Sequence, residues 1–173
     1  MKVPHSTIDG VATGARERLG AWGRRGFLIA VLLFVIAGLL GFLGVRTGTA
    51  SASGGGYDLQ LEYARIARPG LDVPWQLTIT RKGGFDGPVQ VEVTGAYFDI
   101  FESQGVSPEP SDETTNGEWD RMTFAKPEGD TLTIDFDIYV QPSSQQGRSG
   151  TARVLGAGGT PAASVDFRTR LVP

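Results

Sequence analysis

Residues Thr131–Val140 read TLTIDFDIYV, and this decapeptide decides the fold class. Leu132, Ile134, Phe136, Ile138 and Val140 fall on one side of an extended chain, while Thr131, Thr133, Asp135, Asp137 and Tyr139 fall on the other. Period-two alternation rich in β-branched and aromatic residues marks a strand with one dry face and one wet face. The same period recurs upstream. Tyr57, Leu59, Leu61 and Tyr63 alternate with Asp58, Gln60 and Glu62, and Trp75, Leu77 and Ile79 alternate with Gln76, Thr78 and Thr80. Val89, Val91 and Val93 alternate with Gln90 and Glu92; the turn at Lys82-Gly83-Gly84 then predicts that this strand pairs with 75–80 as a hairpin with a longer loop. Further strands are expected at Glu118–Phe124, Thr151–Leu155 and Ser164–Leu171.

Seven short strands broken by Gly, Pro and Asn match the spacing of an immunoglobulin-like antiparallel sandwich, so residues 57–173 are read as one all-β domain. No stretch after Val45 has helical periodicity. The 26 residues Arg68–Val93, RPGLDVPWQLTITRKGGFDGPVQVEV, carry a Gly/Pro lead-in, a strand, a turn and a second strand. This segment resembles bacterial extracytoplasmic immunoglobulin-like modules, and the whole organisation resembles uncharacterised membrane-anchored proteins of actinobacteria. The resemblance implies a fold and a location. It brings no catalytic residues with it.

Near the other end, Phe27–Val45 (FLIAVLLFVIAGLLGFLGV) is nineteen residues without a polar side chain. As a helix it would extend about 28 Å, enough to cross a bilayer. The 26 residues before it carry five basic and two acidic side chains, whereas the segment from Tyr57 onward carries ten basic and seventeen acidic. Arg16, Arg18, Arg24 and Arg25 precede the apolar run and only Arg46 follows it closely. The positive-inside rule then makes residues 1–26 a basic cytoplasmic tail and 27–45 a single span in the plasma membrane, with the domain outside the cytoplasm in the cell envelope. Gly10, Gly14 and Gly20 interrupt the amphipathic spacing of the tail, which is therefore read as irregular. A cleaved export signal stands as the alternative to an anchor, because Ala50-Ser51-Ala52 has the small-x-small form of a cleavage site and Arg24-Arg25-x-Phe-Leu resembles a twin-arginine motif. Gly38 and Gly41, with Ala37 and Gly44, place small residues on one side of the helix, where a second spanning helix would approach closely. Residues 46–56, RTGTASASGGG, read as a flexible linker.

The sequence excludes several chemistries. It has no cysteine, hence no disulfide, thiolate ligand or thiol nucleophile. Its one histidine, His5, lies in the tail, which removes Ser-His-Asp catalysis and imidazole-ligated metals from the domain. An acidic domain is a poor partner for nucleic acid, and no cofactor motif is present. What is left is surface. The acidic stretch Glu102–Asp120 is read as one long solvated loop with no metal site assigned; the alternative is that Asp112, Glu113, Glu118 and Asp120 supply oxygen ligands to calcium, although the spacing is not that of an EF-hand. Asp135 and Asp137 share a strand face without an evident catalytic partner. Tyr97, Phe98 and Phe101 cluster just ahead of the acidic stretch; either the following loop or the sandwich edges shield them all, as large apolar residues ordinarily require, or alternation leaves Tyr97 with Phe101 or Phe98 with Ile100 exposed as a protein-binding or glycan-stacking patch. The expectation is a non-enzymatic module, anchored in the lipid bilayer through 27–45, that engages another membrane or envelope protein. A calcium- or carbohydrate-binding module at the cell wall is the alternative.

Overall fold

A computed structural model describes residues 15–41 and 44–172. The chain divides into two compact units, residues 1–43 and 44–173. The first contains one helix, α1, at Ala15–Leu39. The sequence places this helix at 27–45; the structure begins it earlier and ends it sooner. Leu40 N donates to Ile36 O at 2.9 Å and Gly41 N to Gly38 O at 3.0 Å, after which Gly41 takes a φ of +74°. Such left-handed backbone costs glycine little and stops a helix. Gly41 and Gly44 are thus off the helix, and the expected continuous face of small residues does not form. At its other end the helix runs back through Gly20, Gly23 and Gly26, which were expected to belong to an irregular tail. A Cβ at any of these would meet nothing within 4 Å, so their cost is only intrinsic propensity. Extending a nucleated helix by further residues offsets it. Gly20–Leu39 has a mean hydropathy of 1.7, and none of it is buried. Twenty residues span about 30 Å, the thickness of a hydrocarbon core. The readings made on residues 1–14 and His5 lie outside the described residues.

The second unit is almost entirely strand. In chain order it contains β1 (Arg46–Gly54), β2 (Tyr57–Ala67), β3 (Asp72–Val73), β4 (Trp75–Thr80), β5 (Val89–Thr94), the single helical turn α2 (Gly95–Phe98), β6 (Phe101–Ser107), β7 (Asp112–Thr115), β8 (Trp119–Phe124), β9 (Thr131–Val140), β10 (Ser149–Leu155), β11 (Pro161–Arg168) and β12 (Arg170–Leu171). Twelve strand segments are present among the described residues, against the seven that alternation marks. β3 and β4 keep one register against β9, with Asp72 opposite Tyr139 and Gln76 opposite Asp135. They are one strand broken at Pro74, which has no N–H to give.

The segment expected to be a tether is a strand. β1 pairs antiparallel with β2 from Thr47 opposite Ala64 to Gly54 opposite Tyr57. Gly55 and Gly56, with φ of +57° and +83°, make the two-residue connection that a tight hairpin requires. Gly48, Ala50, Ala52 and Gly54 are half-buried, whereas Thr47, Thr49, Ser51 and Ser53 are exposed. The small residues serve close approach, not flexibility: a Cβ on Gly54 would stand 2.4 Å from the carbonyl oxygen of Ala162 in β11.

Strands β1, β2, β3/β4, β9 and β6 form one sheet, and β11, β10, β5, β8 and β7 form the other. Apart from the two-residue parallel addition of β12 to β2, pairing is antiparallel. The hairpin expected between 75–80 and 89–93 is not formed: β4 pairs with β2 and β9, whereas β5 pairs with β8 and β10 in the opposite sheet. Buried Phe85, only 4% exposed, holds the crossing segment between them. Alternation shows which side of a strand is dry but not which strand lies beside it. The dry faces of both sheets share one core that includes Leu61, Trp75, Leu77, Ile134, Val91, Met122, Val154 and Phe167. Phe98, Phe136 and Phe167 pack around the Trp75 indole at 4.7–6.0 Å between centroids. Trp75 Nε1 is buried with no hydrogen-bond acceptor among the described residues.

Candidate functional site: an acid-rimmed cleft between two edge strands

Each sheet has two lateral edges. On one side, β1 packs on β11 through glycine and alanine, and the core is shut. On the other side the edges are β6 and β7, and there a cleft of about 490 Å³ lies between the sheets. Its floor is apolar. Phe98 from the end of α2 stacks on Phe136 of β9 at 5.0 Å and 15°, beside Val106 of β6 and Met122 of β8. Its rim is acidic, with Glu109 from the β6–β7 connection, Glu113 of β7 and Asp120 of β8, and none of the lining residues is basic.

Local sequence accounts for these positions. Gly95 starts α2 where a Cβ would press on the Asp120 carboxylate at 3.3 Å. One helical turn sends Tyr97 inward, where its hydroxyl lies 2.8 Å from Thr169 Oγ1, and Thr169 in turn donates to Ala64 O at 2.6 Å. Since the Thr169 proton is so engaged, Tyr97 is the donor in the first bond. Burial pushes the Tyr97 phenol well above its ordinary range, more than the Thr169 hydrogen bond lowers it. Gly150 makes room for this packing, because a Cβ there would meet the Phe167 ring at 2.9 Å and Tyr97 at 3.0 Å.

These placements put the aromatic cluster in its shielded alternative, with Phe98 alone left partly open. Tyr97 is 1% exposed, Ile100 4% and Phe101 5%, while Phe98 is half-buried. A helical turn replaces the period of two, so neither alternating pair faces solvent. The acidic stretch is likewise not a loop. It contains β6, then β7, then a turn in which Asn116 Oδ1 accepts from Glu118 N at 3.0 Å and Trp119 N at 2.8 Å. Strand period separates the alternative calcium ligands: Glu113 is opposite Met122 and lines the cleft, as does Asp120, but Asp112 is opposite Thr123 on the outer face and Glu118 sits in the turn. Among the described residues no three acidic or imidazole groups come together where a metal would bind. The structure therefore unites Phe98, Glu113 and Asp120 and disperses Asp112, Glu118, Tyr97 and Phe101. Gly38 and Gly41 belong to the first unit. Asp135 and Asp137 stay on an exposed strand face, where Gln76 Nε2 donates to Asp135 Oδ1 at 2.6 Å.

Sequence reasoning missed Glu109, Val106, Met122 and Phe136 as a group, because they converge from separate elements. It also missed the most enclosed charge. Glu92 is 2% exposed and lies in one cross-strand row with Arg153 and Arg121. Arg121 Nε donates to Glu92 Oε1 at 2.8 Å and Arg153 Nε to Oε2 at 2.6 Å, and the Arg153 guanidinium lies 3.5 Å over the Trp119 ring. Burial raises the Glu92 pKa, but the two guanidiniums outweigh it and hold the carboxyl below its ordinary value. On a strand's wet face a glutamate looks like any solvated residue, and only the neighbouring strands reveal the cluster. No protein-family model matches the sequence, and a search of curated proteins returns no match.

Proposed function

We propose that the chain is a membrane-anchored, non-enzymatic binding module, with an immunoglobulin-like domain held outside the cytoplasm that engages another membrane or envelope protein. The observation that carries this reading is the cleft between β6 and β7, where an apolar floor and three carboxylates stand open together with no basic residue among the lining. Apolar surface left open in this way, with polar groups around it, is the form of a binding site. Retention of the helix is supported by β1: cleavage after Ala52 would remove most of a strand paired along its length with β2. The arginines before the apolar run support a cytoplasmic N-terminus.

Site-specific photo-crosslinking in native membranes tests the reading. A photoreactive residue at position 105, beside the cleft and in open space, is expected to give a discrete protein adduct. The same group at exposed position 53 of β1 is expected to give none. Equal labelling from both positions, or none from either, would overturn it. The intact mass of the mature protein checks the anchor, and a product beginning near residue 53 would show cleavage.

A further inference from the structure

Resting on that binding reading, we infer that the occupant of the cleft is an extended, lysine- or arginine-bearing segment of a partner polypeptide that adds as a strand to the edge of β6. Charge selects the sign. Glu109, Glu113 and Asp120 stand on the lining with no basic residue among them, so a cation is attracted and an anionic lipid surface is repelled. The floor selects the side-chain type. A Lys or Arg stem lies along the stacked Phe98–Phe136 pair and Val106, with its charged head at the rim; such side chains bury their stems and keep their heads polar. The aromatic rings add attraction for a cation.

Backbone geometry selects the extended conformation. Among the described residues β6 pairs with β9 alone, and Glu102–Gly105 are exposed, so one row of its backbone groups faces outward. An unpaired strand edge is a template for an added strand. Gly105 leaves open space at that edge.

The whole chain in zwitterionic nanodiscs tests this by titration with three synthetic peptides: one alternating Lys and Val, one alternating Glu and Val, and the Lys-Val peptide N-methylated on every amide, so that neither strand edge can donate. The unmodified Lys-Val peptide is expected to bind, and its affinity is expected to fall about tenfold in the E113Q/D120N double variant and in high salt. The Glu-Val and N-methylated peptides are expected not to bind. Glu113→Gln alone, at an exposed position, gives a smaller loss and guards against misfolding of the double variant, whose melting temperature is read in parallel. Equal binding of the Glu-Val peptide, or unchanged affinity in both variants, would overturn the charge assignment. Equal binding of the N-methylated peptide would overturn strand addition. If position 105 gives its adduct but the Lys-Val peptide does not bind, this inference falls while the binding reading stands; failure of both removes both.

Discussion

The two lateral sides of the β domain solve the same problem in opposite ways. Where β1 meets β11, glycine and alanine let backbones come so close that a methyl group on Gly54 would strike a carbonyl. Where β6 faces β7, Glu109, Glu113 and Asp120 line a cleft, and Phe98 and Phe136 remain half-buried. The contrast sets a side closed by backbone approach at small residues against a side left open as an acid-lined cleft. Under the proposed function, the closed side supports the fold and the open side is the one that binds.

Aromatic truncation gives the largest contrast. Phe167 on β11 is 4% exposed and contacts the rings of Tyr63, Trp75 and Tyr97. Phe167→Ala is expected to cost about 4 kcal/mol in denaturant unfolding, and Phe136→Ala, in the cleft floor, about 2 kcal/mol, because less of its surface is withdrawn from water. Similar costs would erase the distinction between the sides. Adding volume comes next. Gly54→Val is expected to destabilise by about 3 kcal/mol through backbone overlap, whereas Gly105→Val, with open space around it, should stay within about 0.5 kcal/mol of the parent. If Gly54→Val were as harmless as Gly105→Val, β1 would be a tether after all.

The third contrast depends on pH and concerns the row of residues that ties the two sides together, Ser164–Arg153–Glu92–Arg121–Thr114. The folded Glu92 pKa lies below its unfolded value, so its contribution is fully present above the unfolded pKa and is lost as pH falls through the folded one. Stability measured from pH 7 downward is expected to decline through the acid range in the parent and to lose part of that slope in Glu92→Gln. An identical acid limb would mean that the buried carboxylate adds nothing net. The smallest expected effect is the stability of Glu113→Gln, within about 0.5 kcal/mol, since that side chain is exposed; a larger loss would place Glu113 in the fold's support instead of its binding surface.

Much of the fold is legible in local pattern. The alternation in 131–140 and 75–80 marks β9 and β4 with the boundaries observed, and the apolar run marks α1. β1 was legible too, in the alternation of Thr47, Thr49, Ser51 and Ser53 with Gly48, Ala50, Ala52 and Gly54, but small residues suggest flexibility when their packing partner is unseen. Of the candidate site, Phe98, Glu113 and Asp120 could be named one at a time from aromatic and acidic clustering. Their common lining with Phe136, Met122 and Val106 could not, because it depends on which sheet each strand joins.

Short-range physics accounts for what the chain alone specifies: the β character of the domain, the dry face of its main strands, an apolar helix of spanning length, and the absence of cysteine chemistry. Those features follow from side-chain period and composition within a few residues. Strand order, the crossing from β4 to β5, the burial of Tyr97 and Glu92, and the division into a sealed side and an open side arise from contacts between residues far apart in sequence. Such contacts are set by mutual packing, so they exist only in the assembled core.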